Sequence, residues 1–351
     1  MTSPTRTALA TLALLGGLSA AQTTPGQTIP AQAAPSAAQP GAAVLLPTAL
    51  PGTLAEYTLN SQTAIQLLDL HYEAKPGQTV RAADLAAANT RLQARRAQME
   101  AAYRRASQTT TTKSFVKVLP ARDGQPVLLS TSIVPLPDAE HPDRQTNAAV
   151  STTVVYGPDG QVTDVSVSSS DARLQRYFQS VDLQTLIRNS QNDGATAIYG
   201  LPLTRGEVRS RNVTFPMQGI VQSLGSLGGA EAASSVANIQ ASPVVIHTQT
   251  RFTGNDAAGN SLFSQTYTID PWKLQFGKKG GDAFGMQMAV NLSNGGGSTV
   301  VRPDGLLQAY KVTQALTMTA RIDSPLEPYS MVMALGLSQS TAQTLKGVTL
   351  P

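Results

Sequence analysis

The stretch Ala149–Ser168, AVSTTVVYGPDGQVTDVSVS, decides the fold class. Two runs rich in valine and threonine, with apolar and polar residues interleaved, stand on either side of Gly157-Pro158-Asp159-Gly160. β-Branched side chains suit a pleated, half-buried surface, and interleaving places the apolar ones on one face. In the turn, proline presets φ and glycine takes the positive-φ position, so turn chemistry alone specifies a hairpin. A second copy of the signal, Arg302-Pro303-Asp304-Gly305, joins Ser298–Val301 to Leu306–Val312. The segments Ser151–Gly160 and Ser298–Gly305 are alike, although a favourable turn sequence is enough to explain one shared hairpin.

Working outward, the same β pattern recurs over Leu54–Leu59, Ala64–Tyr72, Phe115–Leu119, Val127–Val134, Pro243–Phe252 and Ser261–Ile269. It continues over Trp272–Phe276, Phe284–Asn291, Leu316–Ile322 and Met331–Leu337. Gly254–Asn260 and Ser293–Gly297 read as loops between strands, and Gly277–Gly281 as a basic hairpin turn. One long helix is predicted over Val80–Ala106, where Leu85, Leu92 and Met99 recur at heptad spacing among strong helix formers. Unbroken, it would measure roughly 40 Å. A second helix is predicted over Asp171–Asn189, capped by Ser170 or Asp171, and a weaker third over Gly219–Ile239. Strands outnumber helices, so the predicted fold is mainly β with α: a long curved antiparallel sheet, a half-barrel, with two or three helices.

The N-terminus sets the expected address. No charged residue separates Arg6 from Glu56, and Ala8–Ala21 behind the basic start has the composition of a secretory signal ending in small residues. It is shorter than the roughly 20 apolar residues that cross a bilayer, so cleavage before Gln22 is expected, with no transmembrane span in the mature chain. Gln22–Gly52, with Pro25, Pro30, Pro35 and Pro40 spaced among Ala, Gln and Thr, reads as a disordered linker. The expected organisation is therefore a signal peptide over 1–21, a linker over 22–52 and a single β-rich envelope domain over 53–351. The chain contains no cysteine, which removes disulfides and a lipid-anchoring thiol alike. Periplasm or cell envelope is the expected location.

Charge and motif content exclude several classes. Net charge is only +4, one unit of which leaves with Arg6, and no basic stripe is interleaved with aromatics, so no nucleic-acid partner is expected. Three histidines without cysteine are poor material for a zinc site. Nucleophile-elbow and phosphate-loop sequences are absent: Gly225-Ser226-Leu227-Gly228-Gly229 has its serine one place early. Asp69, His71 and Glu73 would share one side of a strand whose other side carries Leu68, Leu70 and Tyr72. Asp138, Glu140, His141 and Asp143 form an acidic loop without the glycine spacing of a calcium loop. His247 shares a strand face with Gln249 and Arg251. Each of these reads as a solvated face or loop; no catalytic residue, metal site or cofactor is expected, and the chain is read as a non-enzyme.

Two features point to binding. Met286, Met288 and Val290 alternate onto one strand face, and Met331 and Met333 onto another, giving five candidate ligand-binding residues. Flexible thioethers suit a wall that accommodates varied aliphatic shapes, and they also fill ordinary cores. Arg91, Arg95 and Arg96 on the long helix are candidate contacts for anionic headgroups or an acidic partner. Signal, strand alternation and helix placement across Leu54–Leu337 together resemble the half-barrel of bacterial envelope lipid carriers and related secreted families. That resemblance implies helices closing over an apolar cavity. It is one of architecture, so no functional residue is carried over, and the chain departs from many such proteins in lacking an anchoring cysteine. The expected function is binding of a lipid or other apolar ligand. The alternatives are a structural or interaction subunit with an envelope protein partner, and a hydrolase with dispersed catalytic residues.

Overall fold

The structure is a computed structural model, and the description covers residues 44–137, 145–180, 183–193, 197–219, 239–277, 285–324 and 326–351. The predicted signal, most of the predicted linker, the acidic stretch, the predicted Gly277–Gly281 turn beyond its first residue and nearly all of the third predicted helix lie outside these residues.

The chain is mainly antiparallel β with few helices. Its strands are β1 (Leu54–Ala74), β2 (Gln108–Arg122), β3 (Gln125–Pro137), β4 (Gln145–Tyr156), β5 (Val162–Ser169) and β6 (Val208–Phe215). There follow β7 (Gln240–Ala241), β8 (Val244–Asn255), β9 (Ser261–Ile269), β10 (Trp272–Gly277), β11 (Gly285–Val301), β12 (Leu307–Asp323) and β13 (Tyr329–Thr349). All belong to one sheet whose main path runs β5-β4-β3-β2-β1-β13-β12-β11-β9-β8-β6, with β10 paired to β11 and β7 to β10. The helices are α1 (Ala82–Ala94), α2 (Arg96–Ala106), α3 (Ala172–Ser180) and α4 (Leu183–Asp193).

Several strands are longer than hydropathy suggested. The two predicted runs before Lys75 are one strand, β1; Ser298–Val301 and Phe284–Asn291 merge across Ser293–Gly297 into β11. The glycines of that stretch form no loop. A Cβ at Gly295 would fall 1.8 Å from Tyr267 Cζ, and one at Gly297 would fall 2.2 Å from the Lys311 carbonyl oxygen, so bare backbone is what lets the neighbours close in. The predicted single helix is interrupted at Arg95, whose φ of −92° and ψ of −7° separate α1 from α2. No proline or glycine lies there, and both halves dock on β1. At the second predicted helix Asp171 is the cap: its Oδ1 accepts from the amides of Arg173 (2.8 Å) and Leu174 (3.1 Å).

The described chain begins within the predicted linker. The Leu45 amide donates to the Leu201 carbonyl (3.0 Å), that of Gly200 to the Leu45 carbonyl (2.9 Å), and Leu45 is buried. From these segments the chain enters two runs of equivalent order. β1–β5 and the series β6, β8, β9, β11, β12 each lie in the sheet in reverse order of sequence. Each follows a glycine with positive φ, Gly52 or Gly206, whose amide donates 2.8 Å to the second strand of its run, at Val118 or Phe252. Each run closes with Pro-Asp-Gly. In both turns the glycine amide bonds back three residues, and the aspartate Oδ1 accepts from the amide two residues on. The shared hairpin is thus part of a structural repeat. β13 fills the place between the runs, while α4 lies against the outer strands β5 and β6.

Among the described residues two apolar cores result. The first gathers Leu67, Leu70, Leu92, Ile246, Met288, Val290, Met318 and Met333 with their neighbours. The second gathers Tyr57, Tyr156, Tyr199, Phe252, Phe263, Val301 and Leu306 from both runs. Between them the interior face carries buried Thr248, Thr250, Gln265, Ser293 and Gln314.

Candidate apolar ligand site

Cross-strand pairing assembles the methionines into a wall. One rung reads Trp272–Val290–Met318–Leu335–Leu67 across β10, β11, β12, β13 and β1. The next reads Leu274–Met288–Ala320–Met333–Leu70, and beyond it Met286–Ile322–Met331–Tyr72 spans the last four of those strands. Directly opposed residues face the same side at close Cβ spacing, so the rungs form one continuous apolar surface. All five sequence-predicted ligand residues stand on it: Met288, Val290 and Met333 buried, Met286 and Met331 half-buried on the outer rung. Every methionine except Met1 belongs to this core.

A bulge aims β1 at the wall. Pairing with β13 shifts register between Leu67 and Asp69, so Leu67 and Leu70 are buried while Leu68 is 43% exposed. The predicted alternation of Leu68 with Leu70 is corrected by this one extra residue. The carboxylate and imidazole row is divided as well. Asp69 lies 2.8 Å from His71, whereas Glu73 pairs across the sheet with Arg321, which also approaches Asp323 at 3.4 Å. No group of three metal-ligating side chains occurs among the described residues. His247 sits between Asn212 (2.9 Å) and Asp270 (3.0 Å) on the outer, partly exposed face.

Helices α1 and α2 close one side of the wall. Beyond Thr63, β1 pairs only with β13, and the helices supply partners for its other edge. Asn89 imitates a strand: its Oδ1 accepts from the Tyr72 amide (2.7 Å) and its Nδ2 donates to the Tyr72 carbonyl (3.0 Å). Gln93 donates to the Leu70 carbonyl, Arg96 to that of Leu68, and Ser107 accepts from the Ile65 amide. An edge strand is thereby satisfied without another strand. The inward faces of the helices add Leu92, Met99 and Tyr103 to the core, and the Tyr103 hydroxyl donates to Met333 Sδ at 3.6 Å. Burial raises the Tyr103 pKa, keeping the phenol neutral. Asn89 escaped the sequence reading because nothing in its local pattern reveals a strand edge opposite it.

The arginine candidates differ in setting. Arg91 and Arg95, four residues apart, are exposed and form no ion pair among the described residues, as do Arg104 and Arg105. Arg96 is half-buried, bonded to the Leu68 carbonyl and 2.8 Å from Glu100. Among the described residues no helix is long and apolar enough to cross a membrane. No protein-family model and no curated protein matches the chain.

Proposed function

We propose that this chain is a non-enzymatic protein of the cell envelope that binds a lipid or other apolar ligand, its sheet curved as a half-barrel around the methionine wall. The observation that carries the reading is the segregation of every methionine after Met1 into one core, five of them on adjoining rungs whose outermost is half-buried. Thioether side chains rotate about three bonds and adapt to irregular partners, which a wall serving varied aliphatic chains requires and a fixed core does not. Export fits the same reading, since Ala8–Ala21 has the form of a secretory signal and the chain has no cysteine.

Organic extraction and mass spectrometry of natively purified protein, together with titration of N-phenyl-1-naphthylamine, test the proposal. Co-purified lipid and saturable probe uptake are expected. A lipid-free protein that takes up no probe overturns it and leaves the methionines as plain core.

One observation favours a second reading. Exposed Arg91, Arg95, Arg104 and Arg105 on the helices suit contact with anionic headgroups or an acidic envelope partner, and this contact is compatible with ligand carriage. Reversal of Arg91 and Arg95 to Glu should abolish sedimentation with phosphatidylglycerol vesicles at low salt while leaving the fold intact.

A further inference from the structure

The buried polar band beside the methionine wall remains to be accounted for. One rung crosses it as Arg211–Thr248–Tyr267–Gly295–Gln314, opposed strand to strand, and the adjoining rung sets Gln265 between Thr250 and Gly297. Thr248, Gln265 and Tyr267 are each more than nine-tenths buried, and Thr248 Oγ1, Gln265 Nε2 and Tyr267 Oη have no hydrogen-bond partner among the described residues. Gln265 accepts from the Thr299 hydroxyl at 3.5 Å through its Oε1, so its amide nitrogen is the end left to donate. The Tyr267 ring lies across Gly295, where a Cβ would collide with it, which fixes the phenol against β11. Burial pushes that phenol far above its ordinary range, so it stays a neutral donor.

A buried polar group without a partner costs its desolvation, and native interiors rarely leave several side by side. These three groups offer donors on one patch of the interior face. The patch is continuous with the wall: Ile246, two residues before Thr248, and Ile269, two after Tyr267, both belong to the first core. We propose that Thr248, Gln265 and Tyr267 form a headgroup subsite for an amphiphile bearing a carbonyl or carboxyl oxygen, whose chain lies on the methionine wall. The three donors define the subsite; assignment of the ligand as an amphiphile rests on the apolar-ligand reading above.

Competition against N-phenyl-1-naphthylamine tests the proposal, with dodecane, 2-dodecanone and dodecanoate as competitors. Both oxygen-bearing competitors should displace the probe at concentrations at least tenfold below that of dodecane. The double variant Thr248→Val, Tyr267→Phe keeps both shapes and removes two hydroxyls. It should bring that preference close to unity while leaving the melting temperature unchanged or raised. Displacement by dodecanoate but not the ketone would assign the subsite to the anion, and the reverse to a neutral carbonyl. A preference untouched by the double variant overturns the subsite, as does a high-resolution structure in which an internal water cluster alone bridges the three groups after saturation with 2-dodecanone and dodecanoate. If the double variant fails to fold, Tyr267→Phe alone, which removes one oxygen, supports the same comparison. Should wild-type protein bind no probe at all, the wall reading falls and takes the amphiphile assignment with it. That outcome is distinct from loss of headgroup preference alone.

Discussion

The two cores solve the same packing problem with different materials. The second has no methionine and is built from aromatic and branched side chains set in fixed contacts: Tyr156 meets Tyr199 edge to face at 4.7 Å, and Phe252 meets Phe263 at 5.4 Å. Backbone seals it, because the two Pro-Asp-Gly turns sit against the Tyr199-Gly200 and Leu46-Pro47 segments. Every methionine after Met1 is in the first core, whose outer rung is half-buried. One core is built from aromatic and branched side chains where the repeat closes on itself; the other carries the flexible thioethers where a ligand is proposed to lie. Shape precision and adaptability are thus separated along the length of the strands, with a polar band between them.

The largest effect should come from disturbing the stiff core at its backbone seal. At Gly305, φ is +78° and a Cβ would lie 2.2 Å from the Leu46 carbonyl oxygen. Gly305→Ala should therefore destabilise by about 3 to 5 kcal/mol in urea titration. Gly77 has the same φ with nothing within 4 Å, so Gly77→Ala should cost only about 1 to 2 kcal/mol. Equal losses at the two sites would show that backbone strain, and not the seal, is responsible.

Side-chain substitutions sharpen the contrast. Leu306→Ala in the second core should cost about 2 to 5 kcal/mol. Met288→Leu in the first should stay below about 1.5 kcal/mol, since the swap nearly conserves volume, while altering the probe's affinity. A loss at Met288 as large as that at Leu306 would make the first core as rigid as the second. Between these falls Asn89→Ala. It leaves the Tyr72 amide and carbonyl on the β1 edge without the partners that Asn89 supplies, at a cost of about 1 to 3 kcal/mol, and hydrogen exchange at Tyr72 should accelerate.

The smallest effect is pH-dependent. The Arg173 guanidinium, followed by the amides of Leu174 and Arg173, holds the Asp171 pKa below the ordinary aspartate value. A depressed folded pKa means stability that is present above the unfolded value and is lost as pH falls through the folded one. Asp171→Ala should cost about 1 kcal/mol at neutral pH, and the gap to wild type should close as the medium is acidified below the normal aspartate range. A gap that stays constant with pH would remove the charge from the explanation.

Much of this was legible in the chain. Pro-Asp-Gly announced both hairpins because proline fixes φ and glycine admits the positive φ that the turn needs, and a cap at Ser170 or Asp171 followed from their position before an amphipathic run, Asp171 being the one that bonds. Met286, Met288 and Val290 shared a face as period-two geometry requires. What hydropathy hid were strand interiors facing the polar band, where Ser61, Gln314 and Thr341 stand in the inward positions and the apolar alternation lapses although the ladder continues. The bulge at Leu68 was equally hidden, since one extra residue exchanges the faces of everything beyond it and only pairing with β13 reveals it.

The sequence alone determined the class of the fold, the positions of its two specified turns and the pairing of methionines on a face, because each depends on torsions and periodicities spanning a few residues. Only the tertiary structure decided the rest. That two similar hairpins close equivalent runs, that Asn89 stands in for a missing strand, and that Thr248, Gln265 and Tyr267 share one buried face all follow from pairing register and from docking between separate elements. Register and docking are fixed when the whole sheet satisfies its hydrogen bonds at once, and residue periodicity alone does not specify them.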